Sequence, residues 1–253
     1  WSLLSTGDSL LAATSEGVYR IRFSRPGAPP GGGESVIIRH ITAQPAYVLH
    51  RVPGDQHRVW LGTGGGLTSL VRAPGTGPNP GQWKIERRFP GITREIRTIA
   101  HGTGNCLWLG TETRGVLHVE FPGGLEGKVN VSVYSGKHGL PGEGMRVFNA
   151  AGRVWFASKS YGLYTFDSNA RRFLPDTRLG DLFAGGSRGV YTIAEDSRGR
   201  IYMHSKGHNF LAVPGENHTY RILSQPLKHM PVEQVNCIYP SPGGQSAWFA
   251  AHS

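Results

Sequence analysis

One six-residue phrase recurs along the chain at nearly constant spacing. It is spelled RVWLGT at 58–63 and CLWLGT at 106–111, and weaker copies read LLAAT, RVWFAS, RIYMHS and SAWFAA. The repeat is 46 to 49 residues long, measured between the six anchoring positions Leu11, Trp60, Trp108, Trp155, Tyr202 and Trp248. Such a period predicts a repeat architecture in which each unit buries its apolar face only by stacking on a neighbour.

Each repeat carries the pattern of four short strands. In the third copy, apolar runs at 96–100, 106–111 and 116–121 are separated by the turn segments HGTGN and TETRG, and a fourth run lies near 129–134. Four antiparallel strands in such a length are the blade of a β-propeller. The sequence therefore predicts an all-β fold, a single β-propeller domain over 1–253, with about five and a half blades because the sixth copy stops after two strands. Closing the ring is expected to need residues outside this segment.

The recurring large side chain is predicted to be a packing element. In the second strand of a blade it can bury its ring against the adjacent sheet, which stabilises the fold by roughly 2 to 3 kcal/mol. Small residues that permit close sheet approach follow it at Gly62, Gly110, Ala157 and Ala250. A glycine closes the next turn, where a positive φ is expected, at Gly17, Gly66, Gly115 and Gly162.

Composition narrows the classes of partner. The formal charge is +10, from 27 Lys and Arg against 17 Asp and Glu, and favours anionic partners. A nucleic-acid partner is not expected, because the arginines are spread over turns and form no basic stripe with interleaved aromatics. Cys106 and Cys237 occupy different places in their repeats and form no CxxC motif, so no disulfide, metal site or cofactor is predicted. No apolar run is long enough to span a membrane, and no leader is visible.

Four phrases share a further pattern: EDSRGRIYMHS at 195–205, RVWFASKSYGLYTFD at 153–167, RVWLGTGGGL at 58–67 and KHGLP at 137–141. They resemble the two-component regulator propeller repeat, which occurs in sensor regions of hybrid histidine kinases and related bacterial receptors. Three features depart from the family: Leu11 replaces the tryptophan in the first copy, Asn209 stands where a turn glycine is expected, and only one turn, EDSRG, keeps the full acidic signature. Family members also usually have seven or more blades.

The resemblance implies a non-catalytic sensor propeller in the periplasmic or extracellular portion of an inner-membrane receptor, a histidine kinase or a diguanylate cyclase. It further implies partners in the same protein, a downstream β-sandwich and membrane domains, and homodimerisation is compatible with it. Charge favours an anionic saccharide or another small ligand.

Propeller ligands usually meet the loops that enter the innermost strand together with the turns between second and third strands. Charged, aromatic and histidine side chains in those loops form the predicted ligand-binding set: Arg94, Arg97, Glu112, Arg114, Glu143, Arg146, Lys159, Tyr161, Arg188, Lys206 and His208. No catalytic residue is predicted among them.

Two other classes of function stay open. A sialidase-like enzyme is favoured by the SRGR segment after Asp196 and by Arg97, Arg146 and Arg188, which could clamp a carboxylate. Against it, no tyrosine nucleophile with a glutamate base is identifiable. A propeller lyase is the other enzymatic possibility, but the histidines of this sequence stand alone and show no paired spacing that marks a catalytic site. A scaffold for protein partners is the third class, although the Gly-His and Trp-Asp dipeptides of WD-repeat proteins are missing from the expected places.

Overall fold

A computed structural model describes residues 1–23, 36–75, 81–186, 188–216, 219–230 and 234–251. These residues contain 22 β-strands and short 3-10 helices at Gly136–His138 and Gln225–Leu227. Within them, no helix is long and apolar enough to cross a membrane. By contacts the chain divides into two compact units, Trp1–Ile99 and Ala100–Ser253.

The strands form antiparallel sheets in which consecutive strands are neighbours. Sheet 1 consists of β1 (Ser2–Ser5), β2 (Leu10–Thr14), β3 (Gly17–Phe23) and β4 (Val36–Thr42). Sheet 2 consists of β5 (Ala46–Val52), β6 (Asp55–Thr63), β7 (Gly66–Arg72) and β8 (Trp83–Arg88). Sheet 3 consists of β9 (Ile96–His101), β10 (Cys106–Thr111), β11 (Val116–Glu120) and β12 (Asn130–Tyr134).

The remaining strands repeat the same order. Sheet 4 consists of β13 (Met145–Ala150), β14 (Arg153–Ser158), β15 (Gly162–Asp167) and β16 (Arg172–Pro175). Sheet 5 consists of β17 (Thr192–Glu195), β18 (Ile201–Ser205), β19 (His208–Pro214) and β20 (Tyr220–Leu223). Sheet 6 pairs β21 (Val235–Pro240) with β22 (Ala247–Ala251). Four strands in each of five sheets and two in the last confirm the predicted β-propeller blades.

The second strand of each sheet carries the main core residue. The side chains at five of the six anchoring positions are at most 6 % exposed: Leu11, Trp60, Trp108, Trp155 and Tyr202. Alternate residues of a strand point to opposite faces, so the continuous burial along β18 shows that both faces of sheet 5 are covered there. The predicted packing role is confirmed at these five positions.

Aromatic rings of sheet 4 pack against the tryptophan of sheet 3. Trp108 meets Phe156 of sheet 4 edge to face, with ring centroids 4.9 Å apart, and Phe173 at 6.0 Å. In sheet 4, the indole N–H of Trp155 donates to the carbonyl oxygen of Ala150 at 2.9 Å, so its one polar group is satisfied inside the core. Edge-to-face pairs add to the stabilisation that burial alone provides.

The sixth anchoring position departs from the prediction. Trp248 is 71 % exposed and its cross-strand partner Tyr239 is 58 % exposed. In the described residues sheet 6 has only two strands, and no further sheet follows it to cover the face that carries Trp248. The expectation that every copy buries its ring is therefore wrong for Trp248, because burial depends on the next sheet and not on the residue.

Turn glycines follow the prediction in four sheets and shift in the fifth. Positive φ angles occur at the four predicted glycines, Gly17, Gly66, Gly115 and Gly162. In sheet 5, Ser205 pairs with His208 across a two-residue turn, and φ is 42° at Lys206 and 73° at Gly207. Asn209 lies in the strand that follows, where its Oδ1 is 2.9 Å from Nδ1 of His204. The glycine with positive φ therefore stands inside this turn, at 207, and not at the start of the following strand as in sheets 1 and 2.

The different burial of Trp155 and Trp248 predicts that replacing each with alanine destabilises the fold by very different amounts. Trp155→Ala should lower the free energy of unfolding by about 3 to 5 kcal/mol, since it empties a fully buried site. Trp248→Ala, the matched control, should change it by less than about 1 kcal/mol, because its ring is largely in water. Urea unfolding of the two variants measures both values, and equal losses would contradict the packing role.

Candidate functional site

The predicted site residues lie in the turns between second and third strands and in the approaches to first strands. In sheet 4, Met145 at the start of β13 pairs with Ser158 at the end of β14, and Ser158 pairs with Gly162 at the start of β15. Antiparallel pairing therefore puts both kinds of segment at one end of each sheet. In the second unit we call this the charged end, formed by Glu112, Arg114, Glu143, Arg146, Lys159, Tyr161, Arg188, Lys206 and His208.

Backbone hydrogen bonds join the charged ends of sheets 3, 4 and 5. The N–H of Gly115 donates to the carbonyl oxygen of Glu143 at 2.9 Å, and Gly115 forms a parallel bridge with Gly144. The N–H of Val190 donates to the carbonyl oxygen of Ser158 at 2.8 Å. Each turn is thus fixed to the approach segment of the next sheet, which gives the side chains between them a defined position.

Two glycines permit this close approach. A Cβ atom on Gly144 would overlap the carbonyl oxygen of Glu112, and one on Gly189 would overlap that of Lys159. Both glycines precede a first strand by one or a few residues, and both face the turn of the preceding sheet. Nothing in the sequence singles these two glycines out, because the clash is with residues about 30 positions earlier in the chain.

Three predicted residues from different segments share one ion-pair network. Nη2 of Arg146 lies 2.7 Å from Oε2 of Glu112, and Nζ of Lys159 lies 3.5 Å from Oε1 of the same carboxylate. Nη1 of Arg146 also donates to the carbonyl oxygen of Thr111 at 3.4 Å. Only 12 % of the Arg146 side chain is exposed, against 35 % for Glu112, so the arginine is held in place and the carboxylate faces partly outward.

Glu143 serves as an acceptor for the turn after β14. Its Oε2 accepts a hydrogen bond from Oγ of Ser160 at 2.8 Å, and its Oε1 accepts from the Ser160 N–H at 3.1 Å and from the hydroxyl of Ser158. Burial, with the charge of Glu143 adding to it, raises the pKa of the neighbouring Tyr164. The sequence prediction missed both serines, because only the pairing of β13 with β14 brings them to Glu143.

Three predicted residues sit in the turns themselves. Arg114 and Lys206 adopt left-handed backbone conformations, with φ angles of 61° and 42°, and Tyr161 is 49 % exposed. Non-glycine residues are uncommon in this region, and a fold keeps them there where the surrounding structure dictates the turn. The turns therefore display two cationic side chains and one phenol.

The charged end of sheet 5 carries Arg188 and His208. The guanidinium of Arg188 lies over the ring of Phe210, 5.4 Å from its centroid, in a cation–π arrangement. Nδ1 of His208 lies 2.9 Å from the carbonyl oxygen of Lys206, which fixes the imidazole across its own turn. Over the whole charged end, five Lys and Arg side chains face two carboxylates, so the surface carries an excess of positive charge.

Two predicted residues belong to the first unit. Arg97 lies at the start of β9, where its guanidinium stacks on the ring of Tyr47, 3.8 Å from the centroid, and forms an ion pair with Glu95. Arg94 is half-buried in the approach to the same strand. Tyr47 was not in the predicted set, although it holds the same place in its repeat as Arg97 and Arg146 hold in theirs.

The acidic turn of the fifth repeat lies at the other end of its sheet. It joins β17 to β18 where Glu195 pairs with Ile201, whereas Arg188 precedes β17. Oδ1 of Asp196 accepts the backbone N–H groups of Arg198 and Arg200 at 2.9 and 3.0 Å, and its Oδ2 accepts Nε of Arg200 at 2.7 Å. The turn is therefore a folding device, and it does not bring an acid to the arginines of the charged end.

A cleft of about 410 Å³ also lies at that other end, among the turns of sheets 3 and 4 and the end of β17. Much of its polar lining is bonded within the protein. The Asn149 amide pairs with the N–H and carbonyl groups of His101, both at 2.9 Å, and Oε2 of Glu195 accepts the N–H of Ala151 at 2.8 Å. Across the described ranges, no three His, Cys, Asp or Glu side chains are grouped to hold a metal ion, and Cys106 and Cys237 are free thiols.

Comparison with solved structures supports the fold over almost the whole chain. The extracellular domains of two hybrid two component systems from B. thetaiotaomicron match 99 % and 98 % of it, with TM-scores of 0.61 and 0.55 and sequence identities of 17 % and 12 %. The chain spans about a third of each, 32 % and 36 %. Sqt1 of Chaetomium thermophilum, solved bound to the N-terminus of ribosomal protein L10, matches 99 % with a TM-score of 0.60 and 11 % identity, and 68 % of it is covered.

No protein-family model matches the sequence, and no curated protein matches it. At identities this low, the structural likeness shows the β-propeller fold alone. Membership of the two-component regulator propeller repeat family is therefore a prediction that rests on the repeat phrases.

The backbone bridge at the charged end predicts a position-specific effect of alanine. Gly144→Ala should lower the free energy of unfolding by about 1 to 3 kcal/mol, because the new methyl group overlaps the Glu112 carbonyl. Gly142→Ala, two residues earlier, is the matched control and should be neutral or slightly stabilising, since its Cβ would meet no atom within 4 Å. Similar losses for both variants, measured by urea unfolding, would show that the close approach is not what requires glycine.

The acidic turn predicts a pH-dependent contribution to stability. Burial pushes the pKa of Asp196 up, but the backbone N–H groups of Arg200 and Arg198 and the Arg200 guanidinium outweigh it, so the net pKa is lowered. A lowered carboxylate pKa stabilises the fold above the unfolded value, near 4, and the stabilisation is lost as pH falls below it.

Asp196→Asn should therefore lower the free energy of unfolding by about 1 to 3 kcal/mol at pH 7. The difference from the wild type should shrink steadily below about pH 4. Asp181→Asn, at an exposed position, is the control and should stay within about 0.5 kcal/mol at both pH values. A difference for Asp196→Asn that persists unchanged at low pH would refute the ionic role.

Proposed function

We propose that the chain is a non-catalytic signal-input propeller in the extracytoplasmic region of a bacterial two-component receptor, a hybrid histidine kinase or a diguanylate cyclase. The observation that carries the proposal is the agreement of fold over 99 % and 98 % of the chain with the extracellular domains of two hybrid two component systems. The repeat phrases at 153–167 and 195–205 support it independently, because they resemble the repeat of such receptors. The proposed location is periplasmic or extracellular.

In this proposal the charged end receives the ligand. Arg146 is fixed by Glu112 and by a backbone carbonyl, and Lys159 adds a second cation to the same carboxylate. A preordered pair of cations beside an exposed phenol, Tyr161, suits the carboxylates and hydroxyls of an anionic saccharide. Binding alters signalling only through different affinities for two receptor states, which a downstream β-sandwich, membrane domains or a second subunit would supply.

The ion pairs and hydrogen bonds of the two charged-end carboxylates favour a ligand-binding role over a catalytic one. Glu112 is paired with two cations, and Glu143 holds the hydroxyls of Ser158 and Ser160. A general acid or base must reach the proton that it transfers, and these carboxylates are already engaged in fixing turns. The acidic turn that favoured a sialidase-like enzyme lies at the opposite end of sheet 5.

A protein-binding scaffold is the second candidate. Sqt1, which has a comparable TM-score, was solved with the N-terminus of another protein bound to it. The excess of Lys and Arg at the charged end would then favour an acidic peptide over a saccharide.

One titration separates the three classes. The 253-residue chain is mixed with uronic-acid and sulfated oligosaccharides, with neutral oligosaccharides and with an acidic peptide, while heat and reaction products are both recorded. The sensor proposal expects saturable binding of an acidic oligosaccharide without turnover. Turnover would favour the enzyme, binding of the peptide alone would favour the scaffold, and both results count against the sensor.

The binding should depend on the charged end. Lys159→Gln should lower the affinity for the acidic oligosaccharide about tenfold, as expected for loss of one charge-assisted hydrogen bond. Lys128→Gln is the matched control, because Lys128 is exposed in the β11–β12 connection at the other end of sheet 3, and should change affinity less than twofold. Equal effects of the two substitutions would exclude the charged end as the site.

A further inference from the structure

Three arginines of the first unit surround a single carboxylate, and a fourth lies opposite one of them. Asp8, in the turn between β1 and β2, lies 3.2 Å from Nη2 of Arg20, 3.8 Å from Nε of Arg22 and 3.0 Å from Nη2 of Arg72. Arg39 of β4 is the fourth, and no carboxylate of the described residues lies within ion-pair distance of it. Four cations against one anion leave an excess of positive charge in one place.

Strand register makes this cluster unfavourable in the absence of an anion. Arg20 and Arg39 are directly opposite each other in the pairing of β3 with β4. Directly opposed side chains share one face of a sheet, and like charges at such positions destabilise the pair. Arg22 lies two residues beyond Arg20 and therefore shares that face as well.

Arg20 is almost entirely removed from water. The residue is 6 % exposed, and its Nε donates to Oγ of Ser9 at 3.1 Å while Nη2 reaches Asp8. Burial lowers the pKa of Arg20, and the charges of Arg22, Arg72 and Arg39 lower it further, against the attraction of Asp8. A buried charge of this kind is normally compensated, and one carboxylate shared by three arginines compensates it only in part.

A cleft of about 300 Å³ opens beside these side chains, lined by Arg20, Arg39, His40, Ile41, Gln82 and Trp83. Trp83 is 6 % exposed, and its indole Nε1–H finds no acceptor among the described residues. A buried donor without an acceptor is costly, so an acceptor supplied by a ligand would stabilise it. The volume suits a group of about monosaccharide size.

We propose that this cleft binds a tetrahedral oxyanion, the sulfate or phosphate group of a small ligand, through Arg20, Arg39 and the indole N–H of Trp83. Guanidinium groups match such oxygens, and the anion relieves the repulsion between the opposed arginines. The site is independent of the proposed sensor function. It lies on sheets 1 and 2, near the β1–β2 turn and the end of β7, whereas the charged end is built from sheets 3 to 5.

Titration calorimetry on the 253-residue chain tests the proposal with inorganic sulfate, inorganic phosphate and glucuronate. Ionic strength is held constant with chloride, because screening would otherwise change every charge interaction. Sulfate or phosphate should bind saturably and more tightly than glucuronate. If sulfate binds more tightly than phosphate, the natural ligand is expected to carry a sulfate ester; if phosphate does, a phosphate ester. Absence of saturable binding by all three anions, or tighter binding of glucuronate that Lys159→Gln leaves unchanged, overturns the proposal.

Variants locate the binding. Arg39→Gln should weaken it about tenfold, and Trp83→Phe, which keeps the ring and removes the N–H, about fivefold. Arg221→Gln is the matched control, since Arg221 is exposed on β20, the fourth strand of sheet 5 as β4 is of sheet 1, and should change affinity less than twofold.

Lys159→Gln should also change the affinity for sulfate or phosphate less than twofold, because Lys159 belongs to the charged end. Failure of the anion cleft can therefore be told apart from failure of the proposed sensor function. An Arg39→Gln variant that binds as tightly as Arg221→Gln would overturn the assignment. Arg39 is exposed, and its replacement is therefore not expected to prevent folding.

Discussion

Face-to-face burial of the second strand is the interaction on which the rest of the structure depends. An isolated four-stranded sheet cannot remove both of its faces from water, so each sheet needs a neighbour on each side. Trp155 has neighbours on both sides and is fully buried, whereas Trp248, the same residue type at the same place in its repeat, is 71 % exposed. The difference comes from what covers the sheet, since the local sequences RVWFAS and SAWFAA are similar.

Close packing then dictates how the charged end is built. Where one sheet approaches the next, backbone atoms meet directly, and Gly144 leaves room for the carbonyl oxygen of Glu112. The same approach brings Arg146, from the entry to sheet 4, within 2.7 Å of Glu112 in the turn of sheet 3. A charged surface of this kind is a consequence of the repeat: from sheet 3 to sheet 5 the packing places one turn beside the entry segment of the next sheet, and the side chains there vary.

The charged side chains are bonded differently at the two ends of the sheets. At one end the acidic turn at Asp196 uses its carboxylate to bind backbone N–H groups, which stabilises a hairpin and leaves that carboxylate unavailable for chemistry. At the other end, positive charge exceeds negative charge in partly exposed turns. On the first unit, the arginines around Asp8 repeat that imbalance, and one of them, Arg20, is almost fully buried, so water screens its charge less.

The sequence by itself determined the fold class, the blade boundaries and the turn glycines, because a period of 46 to 49 residues, alternating apolar runs and glycine at positive φ are local properties. It also named the residues of the charged end, since strand order alone tells which turns share an end. It could not find the serines that hold Glu143, the glycine shift from 209 to 207, the exposure of Trp248 or the pairing of Arg20 with Arg39. Those depend on register and on which sheet covers which. Only the tertiary structure decides them, because they are contacts between residues that lie far apart in the chain.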